Sequence, residues 1–168
     1  MRPTLLPLLL LAACAPSAPS ARREPLSDVP FDARQYARYT ERGTASLHGA
    51  AFVKLGGGRV NRIGGQRVYL TPVTGVSTAL VEEALETQAP FTPSDPRVAP
   101  LTREAVTDAD GRFLLEGLPA GDYFVVTTFA GALRPRPRHE LRARPPVVVT
   151  ARLALAPGQA VELHLVAD

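Results

Sequence analysis

Alternation of apolar and polar positions dominates the chain from residue 44 onward. Over residues 44–55, Leu47, Val53 and Leu55 share one face at a period of two, which predicts a half-buried strand. Phe52 interrupts that alternation, as a bulge or a strand covered on both sides would. Glycine runs at 56–58 and 64–65 flank residues 59–63, and 66–72 reads as another strand with Val68 and Leu70 on one side and Tyr69 on the other. These glycines lack the Lys-Ser or Lys-Thr and following helix of a phosphate-binding loop, so they are assigned to turns and bulges. The period changes to helical over 76–88, where Val76, Leu80, Ala84 and Leu85 form a stripe and Glu82, Glu83 and Glu86 face away. With no histidine at ligand spacing, the glutamates read as a solvated face. Pro90, Pro93, Pro96 and Pro100 make 89–101 an irregular loop.

Three reversals then follow in quick order. Residues 103–107 and 112–116 form a hairpin around Asp108-Ala109-Asp110-Gly111, in which Gly111 supplies the positive φ such turns demand. Leu118-Pro119-Ala120-Gly121 turns the chain again, and 122–130 is a strand with Tyr123, Val125, Thr127 and Phe129 on one face. Tyr123, just past that corner, is placed to hydrogen-bond backbone through its hydroxyl. Asp108 and Asp110 supply too few oxygens for a calcium loop. Residues 146–155 and 159–167 read as a closing hairpin around Pro157-Gly158, with Val161, Leu163 and Leu165 pointing one way.

Composition restricts the function more than the fold. The chain has 168 residues, room for one domain plus processing and linker segments, and its 17 Pro and 13 Gly interrupt the pattern too often for long helices. The pI near 9.5 comes without a clustered basic face or a nucleic-acid-binding motif, so no nucleic-acid partner is expected. At the N-terminus, Arg2 precedes an apolar run from Leu5 to Ala13, too short to span a bilayer, which predicts an export signal over residues 1–13. Leu11-Ala12-Ala13-Cys14 resembles the lipobox of bacterial lipoproteins. The resemblance implies that Cys14 is acylated and becomes the mature N-terminus, anchoring the protein to a membrane; Ala15 after it implies the outer membrane in a Gram-negative host. Cys14 is the single cysteine, so acylation leaves no thiol for a disulfide, a zinc-thiolate site or catalysis.

Residues 14–42 are expected to comprise the acylated N-terminus, an Ala/Pro/Ser-rich tether and a lead-in that docks aromatics on the domain; Asp32 is the predicted cap of a short helix through Arg38. Within the domain at 43–168, Arg134-Pro135-Arg136-Pro137-Arg138-His139 reads as a stiff basic loop in solvent.

Thr107-Asp108-Ala109-Asp110-Gly111-Arg112-Phe113, followed by Gly117-Leu118-Pro119-Ala120-Gly121-Asp122-Tyr123, resembles the signature of the carboxypeptidase regulatory-like family. That resemblance covers residues 43–168. It implies an all-β, antiparallel Greek-key β-sandwich of about seven strands, transthyretin (prealbumin)-like, here with one short inserted helix. It also implies that Asp108, Asp110, Gly111, Phe113, Leu118, Pro119, Gly121 and Tyr123 specify shape, not a reaction. Residues 74–102 form a longer link than the family's, a natural place for binding.

His48, His139 and His164 are scattered and no hydrolase motif occurs, so no catalytic residue, cofactor or metal site is expected. The leading expectation is a non-catalytic cell-envelope binding or structural module for a protein partner. The alternative is a carbohydrate- or peptidoglycan-binding module, for which Tyr36, Tyr39, Tyr69 and Phe91 are the candidate ligand surface; a transthyretin-like hydrolase is a further alternative. Exposed clustering of those rings would favour glycan, and their burial would favour protein.

Overall fold

A computed structural model describes residues 26–129 and 146–167. The expectations for the export signal, Cys14, the tether and the Arg134–His139 loop lie outside the described residues.

Among the described residues, eight strands form two sheets. In the first, β1 (Ala45–Lys54) is central: it pairs antiparallel with β5 (Arg112–Leu118) and β2 (Val60–Arg62), and parallel with β8 (Ala160–Ala167). The second sheet runs in the order β4 (Arg103–Val106), β3 (Arg67–Pro72), β6 (Gly121–Phe129), β7 (Val147–Leu155), all antiparallel. The chain crosses between sheets after β2, β4, β5 and β7, so the connections are of Greek-key type and the all-β sandwich is as expected; the segments expected to pair as a hairpin around Asp108–Gly111 instead part, β4 staying in the second sheet beside β3 and β5 crossing to the first beside β1. The parallel β1–β8 pair is the one departure from antiparallel order. It arises because the last two strands do not stay together as a plain hairpin: β7 remains in the second sheet beside β6, and β8 crosses to the first.

The period-two pattern fills the space between the sheets. Leu47, Ala51 and Val53 of β1 meet Val68 and Leu70 of β3, Phe113 and Leu115 of β5, Tyr123, Val125 and Phe129 of β6, and Leu165 of β8. Each large apolar side chain fully buried here contributes about 1.5–3 kcal/mol. Phe52 does not interrupt β1: it lies on the outer face, with its ring 5.8 Å from that of His164. The irregularity in the β1–β5 register falls earlier in the strand, between Ala45 and Leu47.

A second apolar cluster covers the other side of the second sheet. α2 (Gly75–Thr87) buries Val76, Leu80, Val81 and Ala84 against Tyr69 and Val126, with Phe91 and Val98 of the proline-rich loop closing the layer. Leu85 lies outside the buried stripe, while Glu82, Glu83 and Glu86 are exposed as expected. The helix starts where it does because of a capping box. Thr74 Oγ1 accepts from the Ser77 N–H at 2.9 Å, and Ser77 Oγ accepts from the Thr74 N–H at 2.8 Å. No helix among the described residues is long and apolar enough to cross a membrane.

The lead-in is strapped across this body. Leu26 and Val29 pack on the helix layer, Phe31 touches both clusters, and Tyr39 inserts at one end of the sandwich core. Asp32 caps α1 (Ala33–Tyr36) by accepting from the Arg34 N–H, and a 3₁₀ turn (Ala37–Thr40) continues it. Gly75 permits the close packing, since a Cβ there would sit 2.9 Å from Cγ1 of Val29. From the helix layer the chain rounds the sandwich end and becomes β1 in the opposite sheet.

Candidate functional site

Of the signature residues, Asp108 and Tyr123 engage their polar side-chain atoms in shaping two turns. Asp108 Oδ1 accepts from the Asp110 N–H at 2.9 Å and the Arg112 N–H at 2.8 Å. Gly111 adopts φ 73°, and a Cβ there would lie 2.6 Å from the Ala51 carbonyl oxygen. Phe113, Leu118 and Pro119 are buried. Tyr123 is 1% exposed and its hydroxyl donates to the Pro119 carbonyl at 2.7 Å, the bond anticipated for a corner tyrosine. Burial pushes its ionisation above the ordinary phenol range, with the neighbouring Tyr39 adding to the shift. Gly121 leaves room for Tyr39, whose Oη would lie 2.3 Å from a Cβ at 121. Asp110 is exposed. Among the described residues, no three His, Cys, Asp or Glu side chains converge on a possible metal site.

The four rings of the candidate ligand surface do not come together. Tyr36 is half-buried and stacks at 6.1 Å on Tyr39, which is 3% exposed, at the sandwich end. Tyr69 and Phe91, 9% and 4% exposed, pack 5.5 Å apart beneath the helix layer. Their edges floor an open cavity of about 350 Å³ that Gln66, Arg67, Thr92 and Thr128 also line. Arg67 is ion-paired with Glu104 at its rim.

Asp95 and Arg97 form a clasp in the proline-rich loop that the sequence pattern did not single out. The Arg97 guanidinium donates to both carboxylate oxygens of Asp95, from Nε at 2.9 Å and Nη2 at 2.8 Å. It also reaches back to the lead-in, from Nη2 to the Leu26 carbonyl at 2.6 Å and from Nη1 to the Val29 carbonyl at 3.1 Å. Hydrogen bonds from Arg97 hold the buried Asp95 carboxyl below the ordinary carboxylate range, against the opposing effect of burial. The same bonds raise Arg97.

The two sheets differ in what covers them. α2, the proline-rich loop and the lead-in lie over the outer face of the second sheet, whereas the outer face of the first carries no covering element among the described residues. The cross-strand registers put Leu114, His48 and Glu162 in one row and Arg112, Ala50 and His164 in the next, with Phe52 beyond. His164 Nε2 lies 3.4 Å from Glu162 Oε1, and Ser46 Oγ lies 3.5 Å from His48 Nε2. At one margin Leu114 and Val106, 47% and 56% exposed, line a shallow cavity of about 510 Å³ together with His48, Gly49, Phe113 and Glu162. A signal for Leu114 was present in the sequence: two consecutive leucines in β5 cannot both face one core.

No protein-family profile matches the sequence, and no curated protein matches it. Among solved structures, the chain is similar to a candidate carbohydrate binding protein from Pseudomonas aeruginosa, with 22% identity over 83% of this chain and 99% of that one and a TM-score of 0.64. It is more distantly similar to the minor pilin of Streptococcus agalactiae, with 12% identity, 76% and 46% of the two chains covered, and a TM-score of 0.36. For (S)-allantoin synthase the values are 15%, 75% and 42%, and 0.39. The first likeness speaks to fold alone and agrees with the strands described above: the chain is an all-β sandwich of two facing sheets.

Proposed function

We propose that the protein is a non-catalytic module of the cell envelope, held to a membrane by an acylated Cys14, which binds a protein partner through the bare outer face of its first sheet. The asymmetry between the two sheets carries this reading: one outer face is covered by three separate segments, while the other, with no covering element among the described residues, exposes Leu114 beside His48, Glu162 and His164, and Val106 of β4 adjoins it at the margin. Apolar side chains ringed by mixed polar ones are the composition of a protein interface. Charges of both signs on this face, from Arg112 and Glu162, do not favour a polyanion. Burial of Tyr39, Tyr69 and Phe91 removes the flat aromatic platform a glycan surface would use. The engagement of Asp108 and Tyr123 in turn geometry supports shape, not turnover, as the role of the signature.

Mass spectrometry of the mature N-terminal peptide tests the anchor: an acylated Cys14 is expected, and an unmodified Cys14 or cleavage elsewhere overturns it. Complementation of a deletion strain tests the rest. Leu114→Glu with Val106→Glu should fail to restore the phenotype though the chain still folds, whereas Glu83→Ala, on the exposed side of α2, should restore it. The reverse result would overturn that face as the binding surface.

A second reading rests on the cavity that Tyr69 and Phe91 line, where apolar rings meet the side chains of Gln66, Arg67, Thr92 and Thr128 in the combination a sugar ring requires. The Pseudomonas aeruginosa protein of similar fold is itself a candidate carbohydrate binding protein. Isothermal titration with peptidoglycan fragments distinguishes the two: saturable binding abolished by Phe91→Ala favours glycan.

A further inference from the structure

We infer that the outer edge of β8 is a self-pairing surface: two copies of the chain join their β8 strands antiparallel about Leu163, extending the first sheet across both. This goes beyond the binding reading above and depends neither on the anchor nor on the face that a partner protein takes. β8 (Ala160–Ala167) pairs with β1 along one edge, and its other edge carries no strand among the described residues. Ser46 donates its N–H to the Gln159 carbonyl, which fixes the phase of the parallel ladder. Val161, Leu163 and Leu165 therefore turn their backbone groups to β1, and Glu162, His164 and Val166 turn theirs to the free side. Edge strands are commonly guarded by Lys, Pro, a bulge or a covering segment. β8 runs for eight residues with neither Lys nor Pro and in unbroken register with β1. At the corresponding margin of the second sheet, by contrast, Gln88 occupies the Val148 N–H of β7. Val161 and Leu163 point toward the sandwich core and are still only partly buried, so apolar surface continues up to the β8 edge.

The residues along this edge select both the occupant and the register. When two copies of β8 pair about a two-fold axis through Leu163, Glu162 faces the partner's His164 and His164 faces the partner's Glu162, which puts two carboxylate–imidazole pairs on the exposed face. An axis through Glu162 would set the two carboxylates against each other and leave each imidazole opposite an alanine. An axis through His164 would oppose the imidazoles and leave each carboxylate opposite a valine. One register therefore matches every polar side chain of the strand. The backbone agrees with it: positions 162 and 164 are the ones whose N–H and C=O point outward, so each opposed pair exchanges both hydrogen bonds. On the inner side, Leu163 meets the partner's Leu163 and Val161 meets the partner's Leu165, which covers the apolar surface a single chain leaves partly open. Within one chain Glu162 and His164 already share the outer face, with His164 Nε2 3.4 Å from Glu162 Oε1. The axis stands perpendicular to the sheet, so the bare outer faces of the two copies lie side by side as one surface and their row of Leu114, His48 and Glu162 is present twice.

Disulfide crosslinking of the full chain in the cells that express it tests the pairing, with copper phenanthroline as oxidant and the unsubstituted chain, whose single cysteine is Cys14, as the background. Leu163→Cys should give a disulfide-linked dimer, since residues facing each other across the axis lie about 4.5 Å apart at Cα, within disulfide reach. Val161→Cys should not, because its two copies lie about 14 Å apart along the paired strands. Positions 162 and 164 are exposed, so cysteines there leave the core untouched. A chain carrying Glu162→Cys and a chain carrying His164→Cys, expressed together, should crosslink to each other at about 5.5 Å, and neither should crosslink to itself at about 8 Å. Adding His164→Glu to Leu163→Cys should lower the dimer yield several-fold, and adding Glu162→His to that pair should restore it, because the exchanged side chains face each other again. Absence of the mixed crosslink overturns the pairing whether or not Leu163→Cys folds. An equal dimer from Val161→Cys, an adduct of position 163 with a different protein in place of the dimer, or no recovery on the double exchange overturns it as well.

Discussion

Val148, in β7 of the second sheet, donates its backbone N–H to Oε1 of Gln88 at 3.0 Å, and the same amide returns Nε2 to the Leu85 carbonyl at 2.6 Å. One side chain thus ties off the end of α2 and occupies a donor on a sheet margin, where unpaired groups invite association. Gln88 does so from a left-handed conformation, φ 54°, that costs a non-glycine residue about 1 kcal/mol or more.

Gln88→Ala is therefore expected to keep the backbone cost and lose both bonds, lowering stability by about 1–3 kcal/mol. Gln88→Gly, which relieves the backbone, should lose less than Ala. Urea melts of the two variants check the order, and a more stable Ala variant would contradict it.

Tyr123→Phe leaves the buried Pro119 carbonyl without its donor and should cost about 1–3 kcal/mol. The folded protein also holds this phenol neutral beyond the ordinary value of about 10. A raised ionisation in the folded state means that its contribution is complete below about pH 10 and declines as pH rises toward the folded value. Difference absorbance in alkaline titration should show Tyr123 ionising only as the chain unfolds, and Tyr123→Phe should flatten the alkaline loss of stability.

Asp95 has the opposite sign. Its carboxyl is held below the ordinary value of about 3.9 by Arg97, so the stability it contributes is present above that pH and is lost as pH falls through the lower folded value. Asp95→Asn should reduce the acid sensitivity of the melting temperature below about pH 4. At neutral pH, Arg97→Ala should expose Arg34 to trypsin several-fold faster while the sandwich resists; equal cleavage rates would show that the clasp does not hold the lead-in.

The turn at 108–111, which carries the chain from β4 to β5, separates shape from ligand binding. Gly111→Ala forces a Cβ to within 2.6 Å of the Ala51 carbonyl at positive φ and should cost about 2 kcal/mol or more. Asp108→Ala removes the acceptor of two N–H groups and should cost about 1–2 kcal/mol, whereas Asp110→Ala should stay within about 0.5 kcal/mol. Millimolar calcium should leave all three melting temperatures unshifted; a shift in the unsubstituted chain abolished by Asp110→Ala would identify a cation site.

The strands were legible because their inward positions alternate, as Tyr123, Val125, Thr127 and Phe129 do along β6, and because Gly111 and Gly121 mark where the chain must reverse. Helix α2 was legible from its stripe, and the Tyr123 bond from its place after the corner. Pairings between distant segments were not. Nothing near Ser46 or Ala160 in sequence says that β8 will run parallel to β1, and nothing near Arg97 says that its guanidinium will find two carbonyls some seventy residues away. The burial of Tyr69 was not legible for a related reason: it alternates with Val68 and Leu70 along β3, but α2 covers its side, so the alternation there separates two cores instead of core from solvent.

Whether a partner docks on the bare sheet face is decided by site-specific photocrosslinking in cells, with a photoreactive amino acid at position 114 compared with the same probe at position 83 on α2. A discrete protein adduct is expected from position 114 and not from position 83. Adducts at position 83 alone, or no protein adduct at position 114 in a cell that needs the protein, would rule out that face as the docking surface.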